Sequence, residues 1–152
     1  MLEFKKIPTH LSHIPVIMLE NYQAIDGAFA HKTDAQGLSV GVAQWNGAGC
    51  ADFSAKIWRF AYDENNSKGG RWSRQSEEIP LHRTLDLASL VCASIYYAKN
   101  GEFPSDCEYD LSKSNDAHHQ VLLKQFLVKD DEYLQTSLKR LAKLVNQLVE
   151  QE

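Results

Sequence analysis

Cysteine is scarce in this chain and poorly placed for cross-linking. Cys50, Cys92 and Cys107 are an odd number with no CxxC pair. That excludes a disulfide framework and a cysteine-based structural zinc site, and it points to free thiols in a reducing compartment. Cys92 lies in an apolar run and reads as a small buried hydrophobe. Long hydrophobic runs are missing too. No window approaches the roughly 18 apolar residues that a membrane span needs, and the opening MLEFKKIPTHLSHIPVIML lacks the apolar core of a secretory signal. A cytoplasmic protein without a membrane partner is expected. Nor does one sign of charge dominate: 16 Lys and Arg against 20 Asp and Glu leave a net −4. No global field therefore draws the chain to phosphate backbones or anionic lipid.

Catalytic and metal signatures are equally thin. There is no phosphate loop of the form G-x-x-x-x-G-K-[ST] and no HExxH. The stretch Gly37-Leu38-Ser39-Val40-Gly41 matches G-x-S-x-G literally. It lies inside an alternating strand with no helix after it, so it reads as strand, not as a nucleophile elbow. His10-x-x-His13, His31, His82, the pair His118-His119 and Cys107 offer nitrogen and sulfur, but not at metal-ligand spacing. No metal and no cofactor are expected.

What is present suits one domain spanning residues 1–152. An apolar fraction of 43% and a charged fraction of 24% are ordinary for a folded protein. The most informative segment is 38–78. Leu38 to Trp45, Phe53 to Asp63 and Arg71 to Glu78 alternate in polarity, separated by Gly-rich turns at 46–52 and 64–70. They read as an antiparallel meander. Ile14 to Leu19 adds a short buried strand, Asp26-Gly27 marks a turn, and residues 31–37 read as a loop.

Symmetric pairing across the two turns sorts the side chains. Leu38, Val40, Val42, Trp58, Phe60, Tyr62 and Trp72 form a core face. Ser39, Gly41, Ala43, Trp45, Ala55, Ile57, Arg59, Ala61, Ser73, Gln75 and Glu77 form a sparser one.

Pro80 suits a first helical turn, and the apolar stretch 81–99 predicts a buried helix ending at Asn100-Gly101. After an irregular connection, two helices are predicted, over 116–127 and 130–151. Asp130, Asp131 and Glu132 lie in the last helix's first turn, where its dipole favours negative charge. Leu134, Leu138, Leu141, Val145 and Leu148 recur at spacings of four and three. That seam serves either an intramolecular bundle or a homodimer. The expected fold class is α+β: a three- to four-stranded antiparallel meander sheet with a buried helix on one face and two C-terminal helices. Residues 1–99 hold the sheet and buried helix, and 100–152 form a helical extension.

Three functional readings follow. The sparse sheet face offers Trp45, Arg59, Gln75 and Glu77 as contacts for a protein partner, Trp and Arg being frequent interface anchors. A terminal helix packed on those small residues is the competing structural reading. The junction 74–86 places Arg74, Glu78 and His82 near a strand-to-helix turn, where an acid, a base and a cation would support a small hydrolase or transferase. There the plain alternative is a Lys56–Glu78 cross-strand ion pair, with Asp86 tethering His82. Lys56, Arg59, Lys68, Arg71, Arg74 and Arg83, interleaved with Trp45, Trp58 and Trp72, suggest nucleic-acid binding. Acidic neighbours Asp63, Glu64, Glu77 and Glu78 oppose that reading.

The strings NYQAIDG (21–27), DAQGLSVGVAQWN (34–46), FSAKIWRF (53–60) and RWSRQSEEIPLHR (71–83) resemble a family of small uncharacterised bacterial proteins of unknown function. The resemblance covers about residues 5–95. It implies a bacterial cytoplasmic origin and carries no catalytic assignment. A non-enzymatic protein-binding module, of immunity, antitoxin or regulatory-accessory type, is therefore the expected function.

Overall fold

The computed structural model describes residues 5–47, 52–129 and 132–151, so Cys50, Asp130, Asp131 and the Gly49 turn position lie outside the described residues. Strands β1 (Ile14–Leu19), β2 (Ala35–Val42), β3 (Phe53–Tyr62), β4 (Gly70–Trp72) and β5 (Glu78–Pro80) precede helices α1 (Leu81–Asn100), α2 (Ala117–Val128) and α3 (Glu132–Val149). The fold is α+β. Its sheet is antiparallel and open, in the order β1-β2-β3-β4, with β5 also paired to β3.

The third alternating run is split in two. β4 pairs with Phe60–Tyr62 and β5 with Ser54–Lys56, so both occupy the same edge of β3 at opposite ends. Between them residues 73–77 bulge opposite 57–59. The ladder is bridged by the Ser73 N–H donating to Arg59 O at 2.8 Å and the Ile57 N–H to Glu77 O at 2.9 Å. Such an interruption spends extra residues on one strand and re-aims its side chains.

Register is where sequence and structure part. Leu38 stands opposite Ile57, Ser39 opposite Lys56, and Val40 opposite Ala55. The β2–β3 loop closes early, with the Ala43 N–H donating to Asp52 O at 3.0 Å. The Trp45 indole N–H donates to Asp52 Oδ2 at 2.7 Å, and the Asp52 N–H to Asn46 Oδ1 at 2.9 Å. Trp45 therefore belongs to the loop, not to the strand. The resulting odd-numbered slip moves a whole strand's side chains to the other face. Leu38, Val40 and Val42 join Ala55 and Ile57, while Ser39 and Gly41 share the side of Trp58. The grouping of Trp58, Phe60, Tyr62 and Trp72 on one face stands.

The core of the sheet unit lies on the Trp58 side. Trp58 is 2% exposed, and Ile7, Ala35, Ala43 and Phe60 are buried with it. Gly37 allows Ile7 to pack there, since a Cβ on Gly37 would sit 2.5 Å from Ile7 Cδ1. β2 begins at Ala35, within the segment expected to be loop, and Ala35 and Gln36 are buried. β1 forms at the expected residues but is not buried. As the outer strand of the sheet it leaves Ile17 69% exposed, with Pro15 its one buried residue.

The chain divides into two compact units, Met1–Leu85 and Asp86–Glu152. In the second, Ile95 and Ala98 of α1 pack with Leu127 of α2, and Leu134 and Leu138 of α3 cover them. α1 is not buried along its length. Burial is confined to Ala93, Ile95, Tyr97 and Ala98, while Leu85, Leu87, Leu90 and Val91 are exposed, and Cys92 is half-buried. Gly101, at φ 77°, ends the helix with its N–H on Tyr97 O, the left-handed cap that glycine tolerates best. Asp116 caps α2 by accepting the His119 N–H. No helix among the described residues is long and apolar enough to cross a membrane.

Candidate functional site

The slip in register brings together residues that no sequence motif joins. His13, just before β1, is 1% exposed. Its Nε2 lies 2.9 Å from Ser39 Oγ on β2, and its Nδ1 lies 3.0 Å from Ser54 Oγ on β3. The Trp58 indole N–H donates to the same Ser39 Oγ at 2.9 Å. With that oxygen already accepting, the consistent assignment has the Ser39 hydroxyl donating to Nε2 and the ring proton on Nδ1, donating to Ser54.

Glu78 on β5 completes the cluster. Its Oε1 is 3.5 Å from His13 Nδ1 and 3.8 Å from Lys56 Nζ, and its Oε2 accepts the Gln44 N–H at 2.9 Å. Lys56 stands opposite Glu78 in the ladder, the cross-strand pair expected from the sequence, and its ammonium lies 4.6 Å from the centre of the Trp58 ring. Burial pushes the His13 pKa below its ordinary 6.5. The Glu78 carboxylate opposes that shift and the Lys56 charge adds to it.

Glu78, His13 and Ser39 stand in the order of a nucleophile-activating triad. Ser39, however, is only 5% exposed, and its oxygen already takes the Trp58 N–H. The cluster is a set of buried polar groups, with His13, Ser39, Ser54 and Trp58 hydrogen-bonded among themselves and Glu78 Oε1 without a hydrogen-bond partner, that locks three strands and the N-terminal segment into one register. Beside it opens a cleft of about 580 Å³ lined by His10, Ser12, His13, Lys56, Trp72 and Arg74 among others.

The opposite face is apolar. Ile17, Leu19, Leu38, Val40, Ala55, Ile57 and Ile79 line a concavity of about 440 Å³, in which Ile17, Leu19 and Val40 are exposed. At its border Arg59 is clamped. Its Nη1 donates to Asp34 Oδ1 at 2.6 Å and its Nε to Glu77 Oε1 at 3.0 Å. The Asp34 bond first, and Glu77 after it, raise the guanidinium's pKa.

The four expected contact residues do not form one patch. Arg59 and Glu77 touch, and exposed Gln75 lies in the same interruption, its N–H held by Ser73 Oγ. Trp45 sits in the loop at the other end of β3, roughly 20 Å along the strand from Arg59. There its indole N–H first, and the Phe53 N–H second, hold the Asp52 carboxylate below its ordinary range.

Arg74, Glu78 and His82 are not assembled either. Arg74 lines the polar cleft; Glu78 is buried beneath, and exposed His82 is not among the cleft's lining residues. Asp86 accepts the Tyr109 hydroxyl instead of tethering His82. Of the residues weighed for nucleic acid, Trp58 is in the core, and Arg59 and Lys56 face carboxylates. Sequence reasoning weighed His13 only as a metal ligand and missed its role. The one available signal was a histidine preceding an apolar strand, with serines inside two other strands.

A model of a family of unknown function, DUF6530, matches residues 5–114. The chain belongs to this family. The DUF6530 segment runs beyond the residues 5–95 over which the resemblance is legible, and it contains the whole sheet, α1 and the His13 cluster, whereas α2 and α3 lie outside it. No curated protein and no solved structure matches the chain.

Proposed function

We propose that this protein is a non-enzymatic binding module that engages a protein partner through the apolar face of its sheet. The observation that carries the reading is the exposure of Ile17, Leu19 and Val40 (69%, 44% and 39%) around one concavity. Contiguous apolar surface of that kind marks interaction sites. Arg59, Asp34 and Glu77 supply a polar border, so two of the residues expected from the sequence keep a part. Trp45 and Gln75 do not line the concavity. A cytoplasmic regulatory-accessory or immunity role suits such a module.

A photo-crosslinking residue at Val40, expressed in the native host, tests the reading. A discrete adduct of one partner is expected, lost on Ile17→Glu and absent when the crosslinker replaces Lys68. No adduct, or the same adducts from Lys68, would refute it. The exposed last turns of α3, with Leu144, Val145, Leu148 and Val149, form a second surface. Self-association there is tested by light scattering of the full chain and of Leu148→Glu. Of the seam residues Leu134, Leu138, Leu141, Val145 and Leu148, the first two are occupied within the chain.

A further inference from the structure

The polar cleft on the Trp58 side holds a concentration of cationic and imidazole groups with no carboxylate among its lining residues. Lys56 is the informative one. Its side chain is 12% exposed, yet the ammonium is held only by an ion pair at 3.8 Å and the Trp58 ring at 4.6 Å. Neither is a hydrogen bond, so an almost buried donor group faces a polar space with its donors unmet. Directly beneath, Glu78 Oε1 is buried and also lacks a hydrogen-bond partner. Arg74 is exposed on the opposing bulge and lines the same cleft. No ion pair or hydrogen bond engages its guanidinium within the described residues.

Two basic side chains, Lys56 of β3 and Arg74 of the 73–77 interruption, thus line about 580 Å³ of space. Ser12 and Ser73 add hydroxyls to the lining. Trp72 forms a flat wall, itself braced edge-on by Trp58 at 5.6 Å and Phe60 at 5.3 Å. A lysine ammonium and an arginine fork around a polar cavity match the charge and geometry of an oxyanion.

We propose that this cleft binds a small ligand bearing an oxyanion, a phosphate monoester or a carboxylate, held by Lys56 and Arg74 with its body against Trp72. The proposal is independent of the apolar-face reading, because it concerns the other side of the sheet and a different chemistry.

The test uses the full chain in low-salt buffer, titrated with phenyl phosphate and with benzoate. Calorimetry and the Trp72 indole N–H signal are followed together. Saturable one-to-one binding of at least one of the two is expected, and the tighter of them identifies the headgroup. Arg74→Met should weaken that binding about tenfold or more, the scale of one lost charge-assisted hydrogen bond. Lys68→Met, which removes a cation from the β3–β4 loop, should leave it unchanged. Arg74 is exposed and unpaired, so its variant is expected to keep the native near-ultraviolet spectrum, which is checked first. Should it lose that spectrum, Arg74→Lys, which keeps the charge but not the fork, takes its place and must still weaken binding. The proposal falls if neither compound saturates by about 10 mM. It falls equally if Lys68→Met weakens binding as much as the Arg74 variant does, since that would report diffuse surface charge.

Discussion

His13 Nδ1 lies 3.5 Å from Glu78 Oε1, with both side chains almost wholly removed from water. The carboxylate favours a charged imidazole, yet burial outweighs it and the histidine's pKa is lowered. The cluster is therefore built around a neutral ring that bridges two serine hydroxyls.

Stability should depend on pH through that ring. The native pKa lies below the unfolded value near 6.5, so the unfolded chain takes up a proton that native His13 refuses. Its full contribution is present above about pH 6.5. It declines as the pH falls toward the native pKa, with a slope of at most about 1.4 kcal/mol per pH unit. Urea denaturation of the wild type and of His13→Gln across that window checks it. The expected result is a shallower decline in the variant, and parallel curves would contradict it.

Glu78→Gln removes the group that supports a proton on His13 and the partner of Lys56. The imidazole pKa, followed by NMR, should fall further. Stability should drop by about 2 to 4 kcal/mol because the Lys56 ammonium is left unpaired and almost buried. Adding Lys56→Met should restore part of the loss, and a double variant no more stable than the single one would argue against the pairing.

The ion pairs of Arg59 look better on distance, at 2.6 Å to Asp34 and 3.0 Å to Glu77, but their partners are 50% and 42% exposed. Solvent screens them. Arg59→Ala should cost no more than about 1 kcal/mol by chemical denaturation, clearly less than Glu78→Gln.

Gly41 is expected to be intolerant for a steric reason. A Cβ there would lie 2.1 Å from Ile14 O and 2.7 Å from Pro15 Cα, both backbone atoms of β1. Gly41→Ala should destabilise by about 3 kcal/mol, since β1 must shift. Gly47→Ala, where nothing lies within 4 Å, should stay within about 0.5 kcal/mol. Thermal melts of the two variants decide the comparison.

Much of the secondary structure was legible because it rests on local rules. The limits of α1 follow from Pro80 and the Asn100-Gly101 stop, and β1 falls where Ile14 to Leu19 predicts it. Asp116 caps the helix that starts one residue later, as a polar residue before an apolar run should. Pairing was less accessible. The Trp45–Asp52–Asn46 bonds that close the β2–β3 loop are side-chain contacts, and alternation in a strand is blind to which turn will form. One odd slip then reassigned Leu38, Val40 and Ser39 together. The His13 cluster followed from the same slip, drawing on residues 26 to 65 positions along the chain from His13.

Composition and periodicity alone determined that this is an α+β protein with an antiparallel meander, three helices and no membrane-spanning helix among the described residues. Those traits depend on neighbours within a few positions along the chain. Tertiary structure decided which side of each strand meets the core, that Ser39 and Ser54 flank His13, and that Lys56 and Arg74 share a cleft. Such choices turn on which loop closes first and on contacts across the sheet, and neither leaves a periodic trace in the order of residues.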